Sequence, residues 1–529
     1  MRISTAQYFE TSAAKYQNNF SSIVKTQEQI TSGVRIQSAG DDPVGAAQLL
    51  MLQQQKAMLG QYSTNMGTIK SLLTNQESVL DSVNTALQRA RELALQAGNG
   101  GISDADRKSI GSEIGEIEAQ VLGLLNSKDS SGNYMFAGSK TSIPPYVRNN
   151  DGTYSYQGDD TQLSLQVSDT LSMATNDTGK SILEPAVNSG RTQAVLDPSK
   201  PNDGTVSVSA GLAQSNAAYL KKFAAGEPYE LKFVDSTHYT IADKDGNDIT
   251  SEVSGNGTFD STKEGGATIS LRGVEFDISL RLKAPVDPAT TLPMTPDQEV
   301  KDHIFSLGTK PDSFNASRSP GNDSTAQVTG SGVTTQVDYV NGFPNSGVVI
   351  KFTDASNYQV YAQPMGADSN AIGGGTMAGG SITFAGVKLD FTGAPQADDQ
   401  FVVGASSHQT QSALDTLSQL RQALGTPADG NDLAQIKLKD SVNAAISNLS
   451  NASEQVDIVR GTIGARLNAI DIQNAENVSM SLANSSTQSA IGDTDVATAS
   501  IDLAFQQSLL QASQLAFVKI AQLSLFNKL

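Results

Sequence analysis

Leu52, Leu59, Tyr62, Met66, Ile69, Leu73, Leu80, Val83, Leu87, Ala90 and Ala94 recur at helical spacing, and only Gln55 and Gln76 interrupt the row. Steps of three and four keep one stripe of a helix facing a partner helix, so the row predicts a coiled-coil arm of about six heptads. Asp42-Pro43 predicts its start: Asp42 offers an N-cap acceptor and Pro43 takes the first helical position, where a missing N–H costs nothing. Gly98-Asn-Gly-Gly101 predicts its end, through residues that tolerate positive φ. Ser103-Asp-Ala-Asp106 then reads as a capping box, and Ile110, Ile114, Ile117, Val121 and Leu124 or Leu125 continue as a second helix folding back.

The other end of the chain mirrors this. Val442, Leu449, Val456, Ile463 and Ile470 recur every seven residues, which predicts the partner seam. A Ser/Asn-rich stretch, Gln473 to Gly492, interrupts the apolar pattern. In the final segment Ile501, Leu503, Phe505, Leu509, Leu510, Leu515, Phe517, Ile520 and Leu523 spread around most of a helix. Such a helix needs cover on nearly every side. One helix of its own chain covers part of it, which points to neighbouring subunits; an ordinary core helix is the simpler alternative.

Between the arms the pattern changes. Of 17 prolines, all but Pro43 and Pro427 fall between Pro144 and Pro395, and proline is excluded from helix interiors. Alternating runs such as Tyr154-Ser-Tyr156 and Leu163-Ser-Leu-Gln-Val167 predict short strands, with turns at Asp151-Gly152, Asp245-Gly246 and Gly373-Gly-Gly375. The region contains a duplication. Leu231-Lys-Phe-Val-Asp-Ser-Thr-His-Tyr-Thr-Ile241 aligns with Ile350-Lys-Phe-Thr-Asp-Ala-Ser-Asn-Tyr-Gln-Val360, and Ile269 to Ile278 with Ile382 to Phe391. The predicted organisation is an N-terminal assembly segment 1–42, a helical part 43–143, a β-rich connection 144–204, outer β modules 205–324 and 325–404, a helical part 405–475 and a terminal assembly helix 476–529. The fold class is α+β and multidomain, with paired terminal coiled-coil helices around two repeated β modules.

Composition narrows the function. With 36 Lys and Arg against 55 Asp and Glu, a net charge of −19 argues against nucleic acid, whose phosphates need clustered cations. No run of about 18 apolar residues suits a membrane span. The start of the chain has no apolar core of the secretory type, so ordinary Sec export is not expected. The absence of cysteine removes disulfides, thiolate nucleophiles and Cys-bound zinc. His238, His303 and His408 are scattered, and none lies in a His-Glu-x-x-His pattern. Asp41-Asp42 could be a carboxylate pair for acid–base work, but adjacent acids before a helix read first as caps. No catalytic, cofactor-binding or metal-binding residue is predicted, and no enzymatic activity.

The ends of the chain carry a resemblance. Gln27-Glu-Gln-Ile-Thr-Ser-Gly-Val-Arg-Ile-Gln-Ser-Ala-Gly-Asp-Asp-Pro43, including Arg35, Asp41, Asp42 and Pro43, resembles the N-terminal signature of the bacterial flagellin family. Gly461-Thr-Ile-Gly-Ala-Arg-Leu-Asn468, Asp493-Thr-Asp-Val-Ala-Thr498 and Gln507-Ser-Leu-Leu-Gln-Ala512 resemble its C-terminal elements. Proline after the Asp pair and the ending Leu523-Ser-Leu-Phe526 are similar to the hook-associated branch at the hook–filament junction rather than to filament flagellin. The resemblance implies an extracellular structural part of the flagellum, exported through the flagellar type III channel, in which the terminal helices assemble into a ring or helical tube and the β modules face outward. It implies as partners further copies of the chain, junction proteins on the hook side and the flagellin side, and an export chaperone at the C-terminal helix. A filament-forming flagellin is the first alternative. The second is a flagellin-like protein with an outward glycan-binding or hydrolytic β domain, recognisable by a pocket with convergent polar or acidic side chains.

Overall fold

The computed structural model describes residues 5–149, 152–199, 204–263, 266–287, 292–335, 338–339, 342–344, 346–366, 369–406 and 408–526. Six long helices belong to the two arms: α1 (Thr5–Ser32), α2 (Pro43–Ala97), α3 (Asp104–Leu125), α4 (Ala413–Gly425), α5 (Asp432–Gly492) and α6 (Val496–Phe526). The chain forms two compact units. One comprises residues 1–74, 163–175 and 463–529, and the other residues 75–162 and 176–462.

Local chemistry explains the helix ends. Asp42 Oδ1 accepts the Gly45 N–H at 2.9 Å ahead of Pro43, and Ser103 and Asp106 close a capping box at the start of α3. The end of α2 differs from the expectation. None of Gly98, Gly100 and Gly101 takes a positive φ. Gly98 still donates to Ala94 O at 2.9 Å, and a Cβ there would sit 3.4 Å from Val442 Cγ1, so close packing also bears on the glycine.

The second arm differs more. The Ser/Asn-rich stretch is helical throughout, because α5 runs unbroken for 61 residues. The seven-residue rhythm of Val442 to Ile470 continues through Asn477 and Asn484, both buried. No structural break falls at 475/476.

The larger unit contains both β modules. In the first, one sheet orders the strands Thr192–Leu196, Ile304–Thr309, Tyr229–Phe233 and Tyr239–Ala242, and a second orders Ala267–Leu271, Val274–Leu280 and Val206–Val208. The second module repeats this as Ser313–Arg318, Gln400–Ser406, Val348–Phe352 and Asn357–Ala362, with Ser381–Phe384, Val387–Thr392 and Gln327–Val333 in the other sheet. The duplication extends to register. Leu231 faces Ile241 as Ile350 faces Val360, and Ile269 faces Phe276 as Ile382 faces Leu389. Both second-sheet hairpins turn on a non-glycine followed by glycine with positive φ, Arg272-Gly273 and Ala385-Gly386, the geometry of two-residue hairpins whose twist matches their strands.

Each module has its own apolar core, one around Phe223, Phe233 and Phe276 and the other around Phe352, Phe391 and Phe401. Strand pairing divides the modules between Thr309 and Ser313, upstream of the expected 324/325, because the opening strand of the second module precedes its recognisable repeat. Gly373-Gly-Gly375 is an edge strand and not a turn. A Cβ on Gly373 would lie 2.4 Å from the Phe384 ring and one on Gly374 2.7 Å from Tyr358 O, so the glycines serve close packing.

Candidate assembly site

In the smaller unit, the loop between α1 and α2 is tied to the loop between α5 and α6. Arg35 is the tie. Its Nε and Nη2 donate to Ile491 O at 3.1 and 2.7 Å, and its backbone N donates to Gly492 O at 2.7 Å. A β-bridge joins Val34 to Asp493, and Thr494 N donates to Gly33 O at 2.8 Å. These bonds satisfy carbonyls at the end of α5 that have no partner within the helix.

The two adjacent acids have separate structural tasks. Asp41 forms an ion pair with Lys25 at 2.6 Å and accepts the Gln37 and Ser38 N–H groups at 3.1 and 2.9 Å. The Lys25 hydrogen bond, with those from the backbone, holds the Asp41 carboxyl down at about 2. Asp42 caps α2 and lies 3.4 Å from Arg35 Nη2. Gly45 is required beside them, since a Cβ would meet Asp42 Oδ2 and Ile36 Cδ1 at 2.6 Å. Lys25 escapes a motif-based reading because it stands just upstream of the signature, while Gln29, inside it, donates to Arg35 O at 2.6 Å.

The seam residues fall in both units. In the smaller one Leu59, Tyr62, Met66, Ile69, Leu73, Ile463 and Ile470 are buried and Leu52 is half-buried. In the larger one Leu80, Val83, Leu87, Val442, Leu449 and Val456 are buried. Gln76, one of the two interruptions, is also buried: its amide donates to Met135 O and Asp177 O and accepts from Asp177 N.

The terminal helices α1 and α6 pack on each other, with Thr26 Oγ1 donating to Gln506 Oε1 at 3.3 Å and Gln514 Nε2 to Tyr16 Oη at 3.2 Å. The pair leaves much apolar surface uncovered. Ile501 is 70% exposed and Leu515 66%, with Phe505, Leu509 and Phe517 also exposed. Leu503 and Leu510 are half-buried. The side chains of Ile520 and Leu523 lie outside the described residues. On α1, Tyr16, Phe20 and Val24 are exposed as well.

The three histidines stay apart: His238 bonds Asp235, His303 bonds Val300 O, and the backbone of His408 bonds Asp312. Among the described residues no group of three His, Asp or Glu side chains is placed to hold a metal. The larger unit does contain a cleft of about 620 Å³ lined by Glu275, Asp277, Asp440, Lys310 and His408. Its acids have partners within the protein. Asp277 pairs with Lys439 at 3.1 Å and accepts from Thr268, Glu275 accepts from Gln214, and Asp440 accepts the Ala210 N–H at 2.9 Å.

Comparison with known proteins bears on the same segments. Residues 3–141 match the bacterial flagellin N-terminal helical region. The flagellar hook-associated protein 3 of Salmonella typhimurium is 35% identical over 198 residues, which is 37% of this chain and 60% of that protein. Its Escherichia coli counterpart is 33% identical over 184 residues, 35% of this chain and 57% of that protein. The chain thus spans less than two thirds of the length of these relatives. A solved flagellar hook-associated protein 3 from Legionella pneumophila aligns over 83% of this chain and 98% of its own, at 20% identity and a TM-score of 0.48.

Proposed function

We propose that this chain, whose residues 3–141 carry the flagellin N-terminal helical region, is a structural component of the bacterial flagellum that joins hook to filament. The observation that carries the reading is the apolar surface of α6, uncovered in the single chain at Ile501, Phe505 and Leu515. Uncovered apolar surface on this scale marks a site of association. Head-to-tail contacts between identical subunits close into rings or wind into tubes. The terminal helices supply the contacts, Arg35 with Asp41, Asp42 and Pro43 sets the chain path between them, and the α2 and α5 seam is the coiled-coil stem. Likeness to two hook-associated proteins supports the junction in preference to the filament. The partners are further copies of the chain, junction proteins on the hook side and flagellin on the other, with an export chaperone at α6, and the site of action is extracellular.

A glycan-binding or hydrolytic β domain has one observation in its favour, the cleft around Asp440. The partners of Asp277 and Asp440 favour a role in holding the first module on α5, and Glu275 is bonded within the module.

Deleting the gene tests the junction reading. Intact hooks without filaments, with flagellin monomers released into the medium, are expected. Unchanged filaments would reject it.

A further inference from the structure

We propose that Asn484, Gln55 and Asn477 form a register latch that fixes how α2 and α5 align in the smaller unit. The helices are antiparallel there, with Asn477 on Leu59 and Asn484 on Leu52. Asn477 Nδ2 donates to Leu59 O at 2.9 Å and Asn484 Nδ2 to Leu52 O at 3.0 Å. Asn484 Nδ2 also meets Gln55 Oε1 at 3.0 Å, and Asn484 Oδ1 accepts from Gln488 at 2.6 Å.

The apolar residues of the seam in the smaller unit do not by themselves specify a register. Leu52, Leu59, Met66 and Leu73 on one helix and Ile463 and Ile470 on the other are apolar and repeat every seven residues. A slip of one heptad would superpose apolar residues on apolar residues. The side-chain pair Asn484–Gln55 breaks that degeneracy, because a slip takes the buried amide away from its side-chain partner, whereas the carbonyls of Leu52 and Leu59 have equivalents one heptad along. Gln55 interrupts the α2 row opposite Asn484, so two exceptions to the hydrophobic pattern satisfy each other. After a one-heptad slip Asn484 would face Tyr62 in place of Gln55, and Asn477 would face Ile69 where Tyr62 now lies. Asn477 is 5% exposed, and its Oδ1 meets no donor among the described residues. A leucine at 477 would leave no such orphan, which argues that the asparagine is kept for specificity and not for stability.

The test uses the full chain, whose lack of cysteine allows a single introduced pair to be read without background. Lys70 meets Asp471 at 2.7 Å on the flank of this pair, so Ser63 and Val478, one heptad along, report the native register, and Ser63 with Ser485 reports a one-heptad slip. Cross-linking with a short bismaleimide is compared for S63C/V478C and S63C/S485C. The parent sequence is expected to yield the first product alone. In the background Q55L/N477L/N484L the slipped product is expected to reach at least a tenth of the native one. N484A, which adds no bulk to the seam, keeps the comparison valid if the triple variant misfolds, and its slipped product should also rise above the parent's. A single native-register product from a folded variant, in either background, overturns the proposal.

Discussion

Arg35 and Ile491 lie 456 positions apart and are joined by two hydrogen bonds from one guanidinium to one carbonyl, at 3.1 and 2.7 Å. The contact caps a 61-residue helix with a residue from the far end of the chain. A lysine at 35 keeps the charge and loses the planar fork. R35K is expected to weaken the end of α5 by about 1 kcal/mol, which makes amides near 489–495 exchange about fivefold faster. Hydrogen exchange at neutral pH measures this. Unchanged exchange would show that the fork is dispensable.

Glu118 offers a sharper case. Its carboxylate, 4% exposed, accepts from Arg421 Nε and Tyr154 Oη at 2.7 Å each. Its next cation, Arg148, stands at 3.7 Å. Removing one partner of a buried pair costs more than the pair contributes, because the other charge stays behind. R421M is expected to lose about 3 kcal/mol in urea unfolding, and E118Q/R421M to recover a large part of it. Equal losses in the two variants would contradict this account.

Asp440 makes stability depend on pH. Burial raises its carboxyl from 3.8 to about 6; Asp277 adds to the rise, while the Ala210 N–H, Lys439 and Lys310 oppose it. The folded chain therefore holds this proton more tightly than the unfolded chain. The penalty for ionising the group is absent below the unfolded value, grows from 3.8 to about 6 and is complete above that. D440N, which keeps an acceptor for Ala210, is expected to be more stable than the parent at pH 7 by about 3 kcal/mol and about equal to it at pH 3. Denaturant titrations across that range decide. A difference independent of pH would show that ionisation is not its source.

The arms were legible because their signals are local or strictly periodic. Leu59 to Leu87 and Val442 to Ile470 announce a seam at any register, and Asp42-Pro43 and Ser103 announce helix starts. The duplication was legible because Leu231 and Ile241 share a strand register with their copies. The continuation of α5 was not, because the apolar residues of the seam stop at Ile470 while the seven-residue rhythm does not. Asparagine interrupts the apolar pattern, yet at 477 its amide faces a carbonyl of α2 and the helix goes on. Gly373 to Gly375 misled for a related reason: glycine marks a turn by its φ and a strand by what packs against it, and here Phe384 decides. The tie between Arg35 and Ile491 spans nearly the whole chain, so its residues were visible and its partner was not.

Folding and assembly make separate demands on α6. Ile501, Phe505 and Leu515 are exposed on α6, so they contribute little to the stability of the single chain, and surface substitutions usually change it by about 0.5 kcal/mol or less. Between subunits each would be buried, and a buried apolar side chain of this size is worth roughly 1.5–3 kcal/mol. I501S/F505S/L515S should therefore match the parent in thermal melting and circular dichroism. Expressed in cells lacking the native gene, it should leave hooks bare and release flagellin into the medium. Normal filaments would show that this face is not an assembly surface. A collapsed melting temperature would show that the chain covers the face itself, and would move α6 from the assembly interface into the core.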